Sequence, residues 1–232
     1  MRKNMLISLF ALLMGAILMV GCSDEKVSNS EGKEEKATPA EQKKVSNEPE
    51  IEPKKDENGN VVLTEVGHKT KGEDGTTVEL LKIKDVNQNV NIAPIKLTIK
   101  DLKVIQMTNV SKDSEEFLLQ YTNGTKLPEK LNYLQIQYTA ENTEDKNIGW
   151  NGIQKIVTNT GEQLDASGND FIWEENGFDG TFYGKTKHEG TIAVITKSDP
   201  NQLKNVKFII GSTFNPDNYE DITPEQQTQF DF

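Results

Sequence analysis

Few residues of this chain have side chains suited to catalysis. Cys22 is the only cysteine, and His68 and His188 are the only histidines, among 232 residues. Each histidine has a lysine neighbour, which favours a solvated loop position over a metal ligand or a general base. The chain contains no Gly-x-Ser-x-Gly elbow, no phosphate-binding glycine loop and no His-x-x-x-His pair. The sequence therefore predicts no catalytic residue, no cofactor and no metal site.

Carboxylates form three groups that need separate consideration. Glu174 and Glu175 could in principle act as the acid/base pair of a glycosidase. Adjacent residues of a strand point to opposite faces, however, so the two carboxylates cannot easily face one substrate. The oxygen-rich loop at 165–170 and the pair Asp217 and Asp221 could bind a hard cation such as calcium weakly. Asp, Asn and Gly also make turns in such places, and we favour turns.

The segment from Phe171 to Tyr183 holds five aromatic residues in thirteen positions, interrupted by glycines. Aromatic side chains dominate the binding energy of many interfaces, and a glycine-rich loop can present them. One interpretation is that these rings cover one end of a hydrophobic core. The other is that part of the segment joins Trp150 in a surface for an envelope protein or a glycan. The candidate surface comprises Trp150, Trp173, Phe178, Phe182 and Tyr183.

The amino terminus has the pattern of a secretory signal. Arg2 and Lys3 precede an apolar run from Met5 to Gly21, and such a run after a basic start is typical of signal peptides. A membrane-spanning helix is the alternative, but it needs about 20 apolar residues. We therefore predict a signal peptide over residues 1–21.

The residues around the cysteine resemble the lipobox of bacterial lipoproteins, with Met19, Val20 and Gly21 directly before Cys22. The resemblance implies that the chain is cut before Cys22 and that the thiol is diacylglycerylated. Because two acyl chains anchor a protein stably, it also implies attachment to the cell membrane on the extracytoplasmic face. A cysteine used in this way can neither form a disulfide nor act as a nucleophile.

Charge and composition describe the next segment and exclude one class of partner. Residues 23–60 contain no aromatic side chain, and such polar segments cannot bury enough apolar area to fold. We predict that residues 22–60 are the lipidated cysteine and a disordered charged linker.

The whole chain has a formal charge of −11. Nucleic acid is therefore not an expected partner, because binding it requires clustered lysine and arginine.

Beyond residue 60 the sequence predicts β-strands. Apolar residues occupy odd positions from Ile95 to Ile99 and then even positions at Leu102 and Val104, which predicts a β-bulge near Lys100–Asp101. A helix is expected over 111–121, with Asp113 as its N-cap. Further strands are predicted at 76–84, 133–142, 153–158, 162–165, 191–196 and 206–211. The pattern is mainly β and indicates an antiparallel β-sandwich with one short inserted helix over residues 61–232.

Three segments also carry a family resemblance: 95–104, 133–143 and 190–195. Together they resemble an immunoglobulin-like extracellular domain of unknown function found in lipoproteins of bacilli, similar to the mycobacterial immunoprotective extracellular antigen. The resemblance spans about Val78 to Phe214 and implies an immunoglobulin-like β-sandwich. It implies no activity and no site residues.

Three functional classes follow from the sequence. The favoured class is a non-enzymatic binding or interaction module, anchored to the cell surface on a flexible tether. The second is an accessory or structural subunit of an envelope complex, which an apolar exposed strand edge would favour. The third is an envelope hydrolase, which would require a close pair of carboxylates in a cleft.

Overall fold

The computed structural model describes residues 54–55, 61–122, 124, 126–172 and 178–232, which belong to one compact unit, Ile51–Phe232. The predicted signal peptide, Cys22 and nearly all of the predicted linker lie outside the described residues, as does Trp173. Lys54–Lys55 is the exception within the linker range, since it pairs with Val61–Val62.

The strands and the helix follow one another along the chain with these bounds: β1 Lys54–Lys55, β2 Val61–Val62, β3 Lys69–Lys71, β4 Thr77–Ile92, β5 Ile95–Thr108, α1 Lys112–Leu119, β6 Lys130–Asn142, β7 Ile148–Trp150, β8 Ile153–Thr158, β9 Gln163–Asp165, β10 Thr181–Phe182, β11 Lys187–Thr196, β12 Asn205–Ile210, β13 Thr213–Phe214, β14 Asp221–Thr223 and β15 Gln226–Asp231. Every predicted strand is present. Several are longer than predicted, because polar residues at their ends still pair with a neighbouring strand.

The strands form an antiparallel sandwich, which confirms the predicted fold class. A five-stranded sheet in the order β11-β6-β5-β4-β3 faces a four-stranded sheet in the order β15-β12-β8-β9. Contacts of β4 with β15 and of β11 with β9 bring the two sheets together along both sides. A second four-stranded sheet has the order β10-β7-β13-β14, and we call it the small sheet.

The predicted β-bulge is present and determines which residues enter the core. The pairing of β5 with β6 shifts between Ile99 and Asp101. Lys100 is the extra residue, so Ile99 and Leu102 stay on the same face although they are three positions apart. Both side chains are buried in the cluster between the two large sheets, which we call the inner core.

The opposite face of the five-stranded sheet is covered as well. Leu80, Ile105 and Tyr133 project from that face and pack with Leu118 of α1 and with Phe171. We call this cluster the outer core. The inserted helix therefore covers apolar surface that a two-layer sandwich would leave exposed.

The helix begins at Lys112, and its N-cap lies two residues before the predicted one. Ser111 is the N-cap, and its hydroxyl oxygen accepts a hydrogen bond from the backbone N–H of Ser114 at 3.2 Å. The prediction that Asp113 caps the helix is wrong, because Asp113 already lies in the first turn. Its carboxylate there interacts favourably with the positive end of the helix dipole.

Candidate ligand-binding surface

The small sheet determines the position of two of the predicted surface residues. Trp150 ends β7 and Phe182 ends β10, and the two strands pair with each other. Trp150 is 3% exposed and Phe182 is 1% exposed, and both belong to the inner core. The prediction that these rings form a partner surface is wrong, because their side of the small sheet faces the core. The alternative, that aromatic rings cover one end of the core, holds for both.

Phe178 lies at the margin between core and surface. Its ring is half-buried, contacts Phe182 at a centroid distance of 4.9 Å, and stacks on the imidazole of His188 at 4.1 Å with 12° between the planes. Tyr138 contacts the same imidazole and packs edge-on against Trp150 at 5.8 Å. These rings therefore fill the end of the sandwich between β6, β11 and the small sheet.

Neither histidine occupies the predicted solvated loop position. His188 lies within β11 with a half-buried side chain. His68 is only 2% exposed, and its Nδ1 accepts hydrogen bonds from the backbone N–H groups of Thr64 and Glu65, both at 3.2 Å. An Nδ1 that accepts leaves the ring proton on Nε2. The role of His68 is therefore to accept hydrogen bonds from two backbone N–H groups in a tight turn beside the outer core.

Tyr183 is the predicted surface residue that does face solvent. Its side chain is 63% exposed, and the phenol donates a hydrogen bond to Oδ2 of Asp179 at 3.0 Å. The Thr181 backbone N–H donates to Oδ1 of the same carboxylate at 2.9 Å. These two hydrogen bonds hold the pKa of Asp179 below its ordinary value, so the group is a charged acceptor for the tyrosine hydroxyl.

The carboxylate of Glu162, elsewhere in the fold, accepts several hydrogen bonds. Glu162 accepts hydrogen bonds from the hydroxyls of Thr196 at 2.6 Å and Ser198 at 2.7 Å, and from the backbone N–H groups of Lys197 and Ser198. Burial alone would raise the pKa of Glu162, but these hydrogen bonds outweigh it and lower the pKa. A carboxylate that accepts these hydrogen bonds is suited to joining the β8–β9 hairpin to the end of β11.

The oxygen-rich loops are turns. Oδ1 of Asp165 accepts from the hydroxyl of Ser167 and from the backbone N–H of Gly168, while the side chain of Asn215 caps the backbone of Asp217. Within the described ranges, no group of three or more histidine, cysteine, aspartate or glutamate residues could hold a metal ion. The Glu174 and Glu175 pair lies outside those ranges.

The structure also shows exposed aromatic residues that the sequence analysis did not select. Tyr219 is 78% exposed and stacks on the half-buried ring of Phe214, with centroids 5.9 Å apart. Both belong to the β13–β14 hairpin, on the opposite side of β7 from Tyr183. Because the pairing of β7 with both β10 and β13 joins distant parts of the chain, no local sequence pattern could have indicated that these residues share a sheet.

Among the residues that the structure describes, no helix is both long and apolar enough to cross a membrane.

Comparison with known proteins identifies relatives without an assigned activity. No family model matches the chain. The chain is 25% identical over 174 residues to the uncharacterized protein YdhF of Bacillus subtilis strain 168, which covers 73% of this chain and 71% of that protein. A functionally unknown protein from Listeria monocytogenes EGD-e superimposes with a TM-score of 0.48 at 14% identity, covering 67% of this chain and 86% of that one. A conserved hypothetical protein from Bacillus anthracis gives a TM-score of 0.34 at 11% identity, over 61% of this chain and 96% of its own.

Proposed function

We propose that this protein is a lipid-anchored module on the extracytoplasmic face of a Gram-positive cell membrane, where its β-sandwich binds a component of the envelope. The signal-like residues 1–21 and the lipobox-like residues before Cys22 support the anchor. A linker ending near residue 60 would then separate the sandwich from the bilayer. The proposal describes a binding protein and assigns no reaction to it.

One observation supports the proposed binding role most directly. Tyr183 is an exposed aromatic side chain whose hydroxyl donates a hydrogen bond to a charged acceptor, Asp179. A ring this exposed gains little folding energy from burial, and restraining it reduces the conformational entropy that binding would cost. By contrast, the half-buried carboxylate of Glu162 accepts hydrogen bonds that join two parts of the fold.

The anchor can be tested by metabolic labelling with a clickable fatty acid. The full-length chain should incorporate the label, and mass spectrometry should find a diacylglyceryl group on an amino-terminal Cys22. The Cys22→Ser variant should lose the label, because serine has no thiol to alkylate. Ser23→Ala is the matched control and should remain labelled. An unlabelled native chain would contradict the anchor.

The binding role can be tested by crosslinking in living cells. A photoreactive amino acid placed at Tyr183 should capture a defined envelope component. The same group placed at Val66, which is 59% exposed between β2 and β3, should not capture it. Equal capture from both positions, or none from either, would contradict a binding surface at Tyr183.

The accessory-subunit alternative depends on strand addition at an exposed edge. In the described residues, β4 pairs with β3 over Thr77–Glu79 and Leu80 exchanges backbone hydrogen bonds with Gly67 and His68, so the free edge of β4 begins beyond Leu80. This edge carries charged and amide side chains from Lys84 to Asn89 and two irregularities in its register. Both features are typical of edges that resist pairing with another chain, so the structure favours the binding module over strand addition here.

A further inference from the structure

We propose that the outward face of the small sheet binds a neutral polysaccharide. This inference names the ligand class of the binding module proposed above and therefore rests on that proposal. The face, which we call the tyrosine platform, consists of Gly149, Thr181, Tyr183, Phe214 and Tyr219.

The strand register brings the platform residues together. Thr181 of β10 and Phe214 of β13 both pair with Gly149 of β7, so the three residues form one row across the sheet. Strands of a sheet are about 4.8 Å apart, which separates Thr181 from Phe214 by about 10 Å. The neighbouring residues Phe182 and Thr213 are buried. Because side chains alternate along a strand, the platform row faces away from the core.

A glycine in the middle of the row lets an aromatic surface form. A Cβ atom at position 149 would collide with the ring of Phe214, which therefore lies directly over the β7 backbone. The Tyr219 ring stacks on that of Phe214, with centroids 5.9 Å apart and 20° between the planes. Two nearly parallel rings thus lie on one side of the platform, and Tyr183 lies on the other.

The backbone holds Tyr219 in an unusual conformation. Its φ angle is +60°, a region that bulky side chains rarely adopt and that is often associated with functional sites. Two backbone hydrogen bonds maintain it, from Tyr219 N–H to the Asn215 carbonyl at 2.8 Å and from Asn215 N–H to the Glu220 carbonyl at 2.9 Å. Hydrogen bonds therefore constrain the backbone of Tyr219 and the phenol of Tyr183 before any ligand arrives.

The charge around the platform selects the class of ligand. Asp179 lies beside Tyr183, and the exposed Asp221 is in register with Phe214. Lys185 is paired with Asp145 at 3.6 Å, so its charge is already balanced. An anionic wall polymer or a nucleic acid would meet repulsion here. A neutral sugar chain can place its C–H faces on the rings and donate its hydroxyls to the carboxylates.

The test is co-sedimentation of the full-length protein, in detergent, with insoluble chitin, a neutral polymer of N-acetylglucosamine, and in parallel with cell walls that retain their anionic polymers. We expect binding that soluble N-acetylglucosamine oligosaccharides compete away. Tyr219→Gly should weaken the affinity about tenfold, the scale of an interface hot spot. Because glycine adopts positive φ without strain, the melting temperature of this variant should not fall. Tyr183→Ala should also weaken binding, and Val66→Ala is the matched control that should not.

Three outcomes would overturn the inference. They are full affinity in both tyrosine variants, sedimentation only with walls that retain anionic polymers, and no sedimentation at all. In the last two cases, capture of an envelope protein from Tyr183 in cells would preserve the binding module and remove only the sugar ligand. Failure of both experiments would reject the binding module as well.

Discussion

At the scale of single residues, a buried ion pair occupies the margin of the outer core. Lys103 is 3% exposed, and its ammonium lies 3.6 Å from Oδ2 of Asp101. The other oxygen, Oδ1, is buried without a hydrogen-bond partner among the described residues. Burial raises the pKa of Asp101 despite the opposing attraction of Lys103. The attraction of Lys103 thus offsets part of the cost of burying the charged carboxylate of Asp101.

We expect Lys103→Met to lower the free energy of unfolding by about 3 kcal/mol at neutral pH, since it leaves a buried charge unpaired. The deficit should shrink in acid, because protonation of Asp101 removes that charge. Urea titrations at neutral and acidic pH measure both effects. The control is the double variant Lys103→Met with Asp101→Leu, which should recover most of the loss. A deficit that is independent of pH would mean that lost packing, not charge, is responsible.

At the scale of elements, glycines allow aromatic rings to lie against neighbouring strands. Gly190 of β11 pairs with Tyr138 of β6, and a Cβ at position 190 would collide with the Tyr138 ring. That ring in turn packs against Trp150 and His188. The absence of a side chain at Gly190 therefore leaves room for the Tyr138 ring where the five-stranded sheet meets the small sheet.

Gly190→Ala should lower the free energy of unfolding by about 1–3 kcal/mol through overpacking. In a Tyr138→Ala background the same change should cost much less, because the two positions are coupled. Thermal or denaturant unfolding of the four proteins measures the coupling. Where there is no collision, replacing glycine with alanine in a strand stabilises the folded state, because glycine loses more conformational entropy on folding. Stabilisation by Gly190→Ala would therefore show that the Tyr138 ring moves away freely.

At the scale of the whole molecule, carboxylates with lowered pKa values connect separate elements. Glu162 joins the β8–β9 hairpin to the residues after β11. Asp74 accepts from Thr76 and from Ser114 of α1. Burial raises the pKa of Asp74, but hydrogen bonds from Ser111, Thr76 and Ser114 outweigh it and lower the value to about 2. Both groups prefer the charged form in the folded protein.

A folded-state pKa below the unfolded value contributes stability above the unfolded pKa, and this stability is lost as the pH falls through the folded pKa. The unfolded values here are 3.8 for Asp74 and 4.5 for Glu162. The free energy of unfolding should therefore decrease as the pH falls from about 5 to about 2. Glu162→Gln should cost about 2 kcal/mol at neutral pH and should flatten this dependence. An unchanged slope in that variant would contradict the role of Glu162.

Local patterns in the sequence determined much of the fold. The change of apolar phase between Ile99 and Leu102 indicated the bulge at Lys100, because one inserted residue reverses the facing of every later side chain. The alternation in β6 and the hairpin from β8 to β9 were also predictable, since period-two patterning and turn residues act over a few positions. The number of predicted strands, with only one helix, then indicated an antiparallel β-sandwich.

Only the tertiary structure decided which rings face the core and which face solvent. The local sequence does not distinguish Trp150, Phe182 and Tyr183, which are all aromatic. The pairing of β7 with β10 nevertheless buries Trp150 and Phe182 and leaves Tyr183 exposed. The sequence also could not place the segments of Phe214 and Tyr183 at the same small sheet, because β7, β10 and β13 are far apart along the chain. Burial is a property of long-range register, whereas strand type and turn position are properties of local chemistry.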